Sequence, residues 1–421
     1  MARSGRAADR RPRRRSSGAR RARPRVSPLI EQGVDLALRS ALVPAVFAAR
    51  WFGSRPPAED APAARTSLSL ALKIALDEVF LLTEMLSTPL IASRERHRLA
   101  AETSAALAFY EERGWLDHPT GYHTTPPPPE AVEIEPVRSR WFDFLHLRFR
   151  SGYTPHPGEP GRERWLSYTA NRTAHAWVLE HPGPPRPWLI CVPGYRMGHP
   201  LVDFVAFSLS WLHREQGLNV AVPVMPLHGP RRIGRRSGDG FLSGDYLDTI
   251  HFQTQAVWDV RRLIGWLRGR AAPAVGLYGV SLGGSTAALL AGLDAELACV
   301  IAGMPATCYV ALARANLPSL ILSAAEYLGV AWDDLERLLR VVSPLALSPR
   351  VPWARRYLFA GNADRLVPLT GITALWRHWG RPRLAWYEGT HVSFLLETAV
   401  RALLEEALRA SGLLSALSPT G

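Results

Sequence analysis

The rhythm of apolar and polar positions changes twice along the chain. Between residues 70 and 84, Leu70, Leu72, Ile74, Leu76, Val79, Phe80 and Leu82 are relieved by Lys73, Asp77, Glu78 and Glu84. That mixture predicts a helix packed on a larger domain and too charged to span a bilayer. Residues 95–114 predict a second, charged helix ending near Gly114. Thr124 and Thr125 then lead into four prolines, Pro126 to Pro129, a stiff linker. From about residue 138 strands take over: a partly alternating run at 141–149, another at 173–181, and a buried one at 188–192. A helix is expected at 201–216, a strand at 219–224, a long loop at 225–247 and a helix at 249–269. Next come a strand at 274–278 and its helix, a strand at 297–302, and an irregular helical stretch at 307–342. A strand at 356–360, helix at 369–379, strand at 383–387 and helix at 393–410 close the pattern. Strands alternating with helices predict a mostly parallel sheet covered on both faces and led by antiparallel strands.

These changes of rhythm divide the chain into three. Residues 1–28 form an Arg-rich tail too polar to bury a core. Residues 29–130 form a helical N-terminal extension with the Pro-rich linker. Residues 131–412 form the α/β domain, with the helical insertion at 307–342.

Charge sharpens the division. The 421 residues carry a formal net charge of +13. Eleven arginines against Asp9 alone give residues 1–25 about ten of those charges, so the basicity belongs to the tail and not to the fold. A specific nucleic-acid-binding domain is therefore not expected. Contact of the tail with an anionic membrane surface is the alternative reading of the charge. Three cysteines, Cys191, Cys299 and Cys308, form neither a disulfide framework nor a metal-ligand spacing and fit a reducing compartment. No apolar core of signal-peptide length follows the arginine pairs, so a cytoplasmic protein is expected. No metal or cofactor is implied, and the pattern points to no particular oligomeric state.

The chemistry centres on the run from Val275 to Gly284, where an apolar strand tightens into Gly279-Val280-Ser281-Leu282-Gly283 and continues as a helix. A serine on a sharp strand-to-helix turn has its hydroxyl outside the sheet, and the flanking glycines allow close backbone approach. Such a serine needs a base and an orienting acid. His391 lies in the loop after the last predicted strand. Asp364 lies in the loop after strand 356–360. An imidazole takes the serine's proton during attack, and a buried carboxylate sets its tautomer. Asp239 and Asp245 are rival acids, ranked below Asp364 because they precede the serine on an earlier loop. The oxyanion donors are expected to be the N–H of Leu282 and, from the loop at 193–198, the N–H of Tyr195, with Arg196 second.

With these residues the chain from about 138 to 410 resembles the α/β-hydrolase superfamily. It looks closest to the dienelactone-hydrolase and prolyl-oligopeptidase-like branch of bacterial esterases. The resemblance rests on the Gly-Val-Ser-Leu-Gly-Gly turn, the Gly-x-x-Asp-x-x-Val-Pro segment at 361–368, Gly389-Thr390-His391, and the order Ser, Asp, His. It implies an α/β-hydrolase fold and a serine hydrolase that cleaves a carboxylic ester of a small molecule or lipid, without cofactor. The alternatives are a phospholipid acyl hydrolase at a membrane surface, or a catalytically silent fold used for binding. The chain departs from the pattern in lacking a His-Gly pair at 193–198. It adds Pro226-Leu227-His228-Gly229-Pro230-Arg231-Arg232 after strand 219–224. His228, Arg231 and Arg232 are therefore candidate substrate contacts, the arginines for a carboxylate or phosphate. Leu317, Leu320, Ile321, Leu322, Leu328 and Val330 in the insertion are candidates for an apolar lid.

Overall fold

The computed structural model describes residues 58–87, 93–140, 142–242, 245–317, 319–327 and 330–414. The 1–28 tail and the extension as far as residue 57 lie outside them. The strands are β1 (Glu133–Val137), β2 (Phe144–Arg150), β3 (Thr173–Leu179), β4 (Trp188–Val192), β5 (Asn219–Val224), β6 (Val275–Val280), β7 (Val300–Gly303), β8 (Arg356–Gly361) and β9 (Arg383–Tyr387). Among the described residues they form one sheet in the order β1-β2-β3-β5-β4-β6-β7-β8-β9. The pairings of β1 with β2, β2 with β3 and β3 with β5 are antiparallel. All pairings from β5 through β4, β6, β7 and β8 to β9 are parallel.

The helices are α1 (Leu68–Ser87), α2 (Ser93–Glu112), α3 (Arg162–Ser167), α4 (Pro200–Ala206), α5 (Tyr246–Gly269), α6 (Leu282–Ala291), α7 (Tyr309–Asn316), α8 (Ser319–Tyr327), α9 (Trp332–Leu339), α10 (Leu369–His378) and α11 (Thr398–Ala410). They cover both faces of the sheet, as the near-continuous apolar runs of the parallel strands require. Successive strand residues point to opposite faces. Ile190, Leu277, Val300 and Leu358 join one core with residues of α2, α5, α6 and α9. Leu189, Tyr278, Ile301 and Phe359 join the other, with Phe204, Trp211 and Leu404. The expected α/β architecture is present, with three differences. Edge strand β1 escapes the pattern because Glu133, Glu135 and Pro136 read as linker; its residues are mostly exposed, and proline is tolerated at a sheet edge. The helix expected at 201–216 breaks after α4 into a wide turn, Ser210–Glu215. The helix expected at 393–410 begins as a tight turn, Val392–Leu396, before α11.

The residues before β1 are built into the same body. Ala106 and Tyr110 of α2 are buried in the α5–α6 core. Arg164 bridges Glu102 of α2 at 2.8 Å to Asp245, which caps α5, and Asp248 of α5, both at 2.9 Å. Arg261 of α5 donates to Thr124 O and Thr125 Oγ1, each at 2.9 Å, so the chain entering the prolines lies along that helix. Among the described residues no helix is long and apolar enough to cross a membrane.

Candidate active site

In the parallel part of the sheet, β6, β8 and β9 deliver Ser281, Asp364 and His391 to loops at their C-terminal ends, where α/β sheets bind ligands. The Ser281 turn is dictated by backbone crowding. A side chain at Gly279 would collide with the Gly283 carbonyl, and one at Gly283 with the Val192 carbonyl. Between them Ser281 takes φ 56°, ψ −117°, and its N–H donates to Gly303 O at 2.8 Å. A non-glycine residue in that region stores of order 1–3 kcal/mol of strain, held by the packing of β6 and α6 around it.

Asp364 is buried. Its Oδ1 accepts the N–H groups of Leu366 and Val367, both at 2.8 Å, and its Oδ2 lies 2.7 Å from His391 Nδ1. Two backbone donors on one oxygen aim the other at the imidazole. Burial disfavours the His391 cation, but the charge and hydrogen bond of Asp364, with the charge of Asp77 behind them, outweigh it and raise the pKa above 6.5. Among the described residues no hydrogen bond joins Ser281 Oγ to His391. Such contacts are often long until substrate tightens them.

The 193–198 loop lies against the serine. A Cβ on Gly194 would stand 3.4 Å from the Cβ of Ser281. Arg196 turns the loop at φ 69°. The N–H groups of Tyr195 and Leu282 donate to no protein acceptor among the described residues. Leu282 is the first residue of α6, where a backbone N–H has no partner within the helix.

The 225–247 loop differs from its expected role. Arg231 is fully buried. Its guanidinium donates to Val224 O at 2.9 Å, Asn171 O at 3.0 Å and Asp259 Oδ2 at 2.8 Å, so it is an interior ion pair and not a substrate contact. His228 is also interior. Its Nδ1 lies 2.8 Å from Pro226 O, its ring packs between Tyr195 and Phe252, and burial lowers its pKa to about 4. Arg232 is exposed, donating to Gly229 O at 3.2 Å. The rival acids are engaged elsewhere. Asp239 binds Arg196 at 2.6 Å, and Asp245 caps α5 while pairing with Arg98 and Arg164. In the insertion, Leu317 is exposed and Leu322 and Val330 are half-buried; the side chains of Leu320, Ile321 and Leu328 lie outside the described residues. Among the described residues no cluster of His, Cys, Asp and Glu could hold a metal ion.

Sequence reasoning missed α1 as part of this site. Asp77 is fully buried and accepts N–H groups from both the Asp364 and His391 loops. Glu84 binds Arg196 at 2.6 Å and Arg236 at 2.8 Å. The available signal was spacing. Lys73, Asp77 and Glu84 share one helical face, while Leu68, Leu72, Leu76 and Val79 share another.

The fold is that of the α/β-hydrolase superfamily. An acetyl xylan esterase from Paenibacillus sp. R4 shares it with a TM-score of 0.50 at 15% identity, over 74% of this chain and 94% of that one. No family model matches the sequence. The chain is 42% identical over 376 residues to "Uncharacterized protein Rv2627c" of Mycobacterium tuberculosis strain H37Rv, covering 87% of this chain and 88% of the relative. The same figures hold for "Uncharacterized protein MT2702" of strain CDC 1551. The chain belongs to the family of these mycobacterial proteins.

Proposed function

We propose that the protein is a serine hydrolase that cleaves a carboxylic ester through an acyl-enzyme. The observation that carries this reading is the 2.7 Å contact between His391 Nδ1 and Asp364 Oδ2, on loops at the same C-terminal end of the parallel strands as the strained Ser281 turn. In this reading Ser281 Oγ attacks the ester carbonyl carbon while His391 Nε2 takes its proton. The tetrahedral oxyanion accepts the Leu282 and Tyr195 N–H groups. Collapse breaks the bond to the leaving alcohol, which receives the proton from His391. Water, deprotonated by His391, then attacks the acyl-enzyme, and the acid leaves with Ser281 restored. Asp364 holds the imidazole in the tautomer whose Nε2 is unprotonated at the start. The order and spacing of the motifs support a reading as an esterase of the dienelactone-hydrolase and prolyl-oligopeptidase-like branch, which the chain resembles.

The test is labelling by a fluorophosphonate probe, followed by a chain-length series of p-nitrophenyl esters. The expected result is a label on the wild type that is lost in Ser281→Ala. An unlabelled wild type would favour a silent binding fold, and a label surviving that substitution would defeat the reading of Ser281 as the nucleophile.

One observation supports a lipid-surface version of the same chemistry. Leu68, Leu72, Leu76 and Val79 on the outer face of α1 are 79%, 63%, 58% and 56% exposed. An apolar stripe of this kind can lie in a headgroup layer. Flotation with anionic vesicles, compared between wild type and Leu72→Ser/Leu76→Ser, tests it; equal flotation removes this version.

A further inference from the structure

α1 carries its polar face inward. Asp77 Oδ2 accepts the Arg365 N–H at 2.9 Å and the His391 N–H at 3.0 Å, and Oδ1 accepts the Val392 N–H at 3.1 Å. One carboxylate thus joins the backbone beside Asp364 to the backbone of His391. Around it, Glu78 binds Arg365 at 2.9 Å, and Lys73 binds Glu397 at 2.6 Å and Glu388 O at 2.9 Å. Thr390 Oγ1 donates to Lys73 O at 3.1 Å. Two turns further on, Glu84 Oε2 accepts from Arg196 Nε at 2.9 Å and from the Tyr195 hydroxyl at 3.2 Å, and Oε1 accepts from Arg236 at 2.8 Å. The helix therefore touches the acid loop, the base loop and the loop of the second oxyanion donor.

We propose that α1 is a strap that completes the active site in cis, with Asp77 as a positioning residue for the Asp364–His391 pair and Glu84 as a positioning residue for the Tyr195–Arg196 loop. The inference rests on the serine-hydrolase reading above. Its physical basis is the cost of burying a carboxylate. A fully buried Asp is retained only where several donors surround it, and here all three are backbone N–H groups of the two catalytic loops. Those loops belong to different strands, so no local interaction sets their separation. A shift of about 1 Å between the acid and the base can cost about a hundredfold in rate. The charge of Asp77 also faces the His391 imidazole, together with Asp364; Arg365, Glu78, the Tyr387 hydroxyl and the Lys73–Glu397 pair are the other charged and titratable groups around them.

The experiment is steady-state ester hydrolysis across pH by the full-length Asp77→Asn and Glu84→Gln proteins, with fluorophosphonate labelling in parallel. Asn keeps the shape but presents an amide to N–H donors. Asp77→Asn is expected to lower kcat about tenfold to a hundredfold with KM nearly unchanged, and to move the acid limb of the pH profile to lower pH. Asp77→Glu, which restores the charge, is expected to return the limb toward its wild-type position. Glu84→Gln is expected to lower kcat about tenfold without moving the limb. Should Asp77→Asn fail to fold, Glu84→Gln decides, because it removes one charge from a partly exposed cluster. Wild-type kcat in the folded variants, with wild-type labelling at Ser281, would overturn the strap while leaving the hydrolase reading standing. Absent labelling of the wild type would overturn the hydrolase reading itself.

Discussion

Asp364 and His391 face each other across 2.7 Å, and the other oxygen of Asp364 is occupied by the N–H groups of Leu366 and Val367. The acid is thereby locked in one rotamer, with Oδ2 turned toward the imidazole. The rival carboxylates are bound to arginines, Asp239 to Arg196 and Asp245 to Arg98 and Arg164. Asp364→Asn is therefore expected to cut ester turnover by about 10⁴-fold, the scale seen when a triad loses its orienting acid. Asp239→Asn is expected to cost less than about tenfold. Steady-state kinetics with a p-nitrophenyl ester checks both, and the reverse ranking would reassign the acid.

The raised pKa of His391 predicts the pH dependence with a definite sign. The proposed mechanism needs the neutral imidazole, so kcat/KM should fall as pH falls through a value above the ordinary 6.5 of histidine. The stability linkage runs the other way. A group whose folded pKa is raised contributes stability fully below 6.5, and that contribution fades as pH rises through the folded value. Paired pH profiles of kcat/KM and of denaturant unfolding test this; an acid limb at or below 6.5 would count against the Asp364 and Asp77 charges reaching the ring.

The glycines around Ser281 are steric requirements. Gly283→Ala would press a methyl group into the Val192 carbonyl, and Gly279→Ala would press one into the Gly283 carbonyl. Neither backbone can yield without moving β4 or β6. Each substitution is expected to destabilise the fold by about 3 kcal/mol or more, beyond the usual range for overpacking a core with side chains. Urea unfolding midpoints provide the measurement. A variant that unfolds with wild-type stability would show that the turn can relax.

Arg231 separates an interior role from a substrate role. Burial lowers the pKa of Arg231 and raises that of Asp259, the mark of an ion pair held out of water. Arg231→Met leaves the Asp259 carboxylate without its cation, with Ser151 Oγ as a remaining donor at 2.6 Å. The expected loss is about 3–5 kcal/mol of stability. Arg232→Ala, on the surface, should change stability by less than about 0.5 kcal/mol. If Arg231→Met instead kept its stability and raised KM for anionic esters, the residue would be a substrate contact after all.

Much of the site is legible in the sequence because the relevant rules are local. A serine between glycines, after an apolar run and before a helix-compatible segment, fits a tight strand-to-helix turn, and apolar periodicities of 2 and 3.6 set the strands and helices that lead to Asp364 and His391. The loop residues are less legible, because pattern gives no account of burial. Arg231 and Arg232 are adjacent and chemically identical, yet one is interior and the other exposed.

What the sequence by itself determined is the α/β order, the Ser281 turn and the candidate acid and base, each specified by neighbours within a few residues. Only the tertiary structure decided that α1 turns its charged face toward these loops and its leucines outward. The Asp77–His391 hydrogen bond spans 314 positions. Whether a carboxylate is buried depends on donors brought from distant strands; the spacing within its own helix groups Asp77 with Lys73 and Glu84 but does not say which face turns inward.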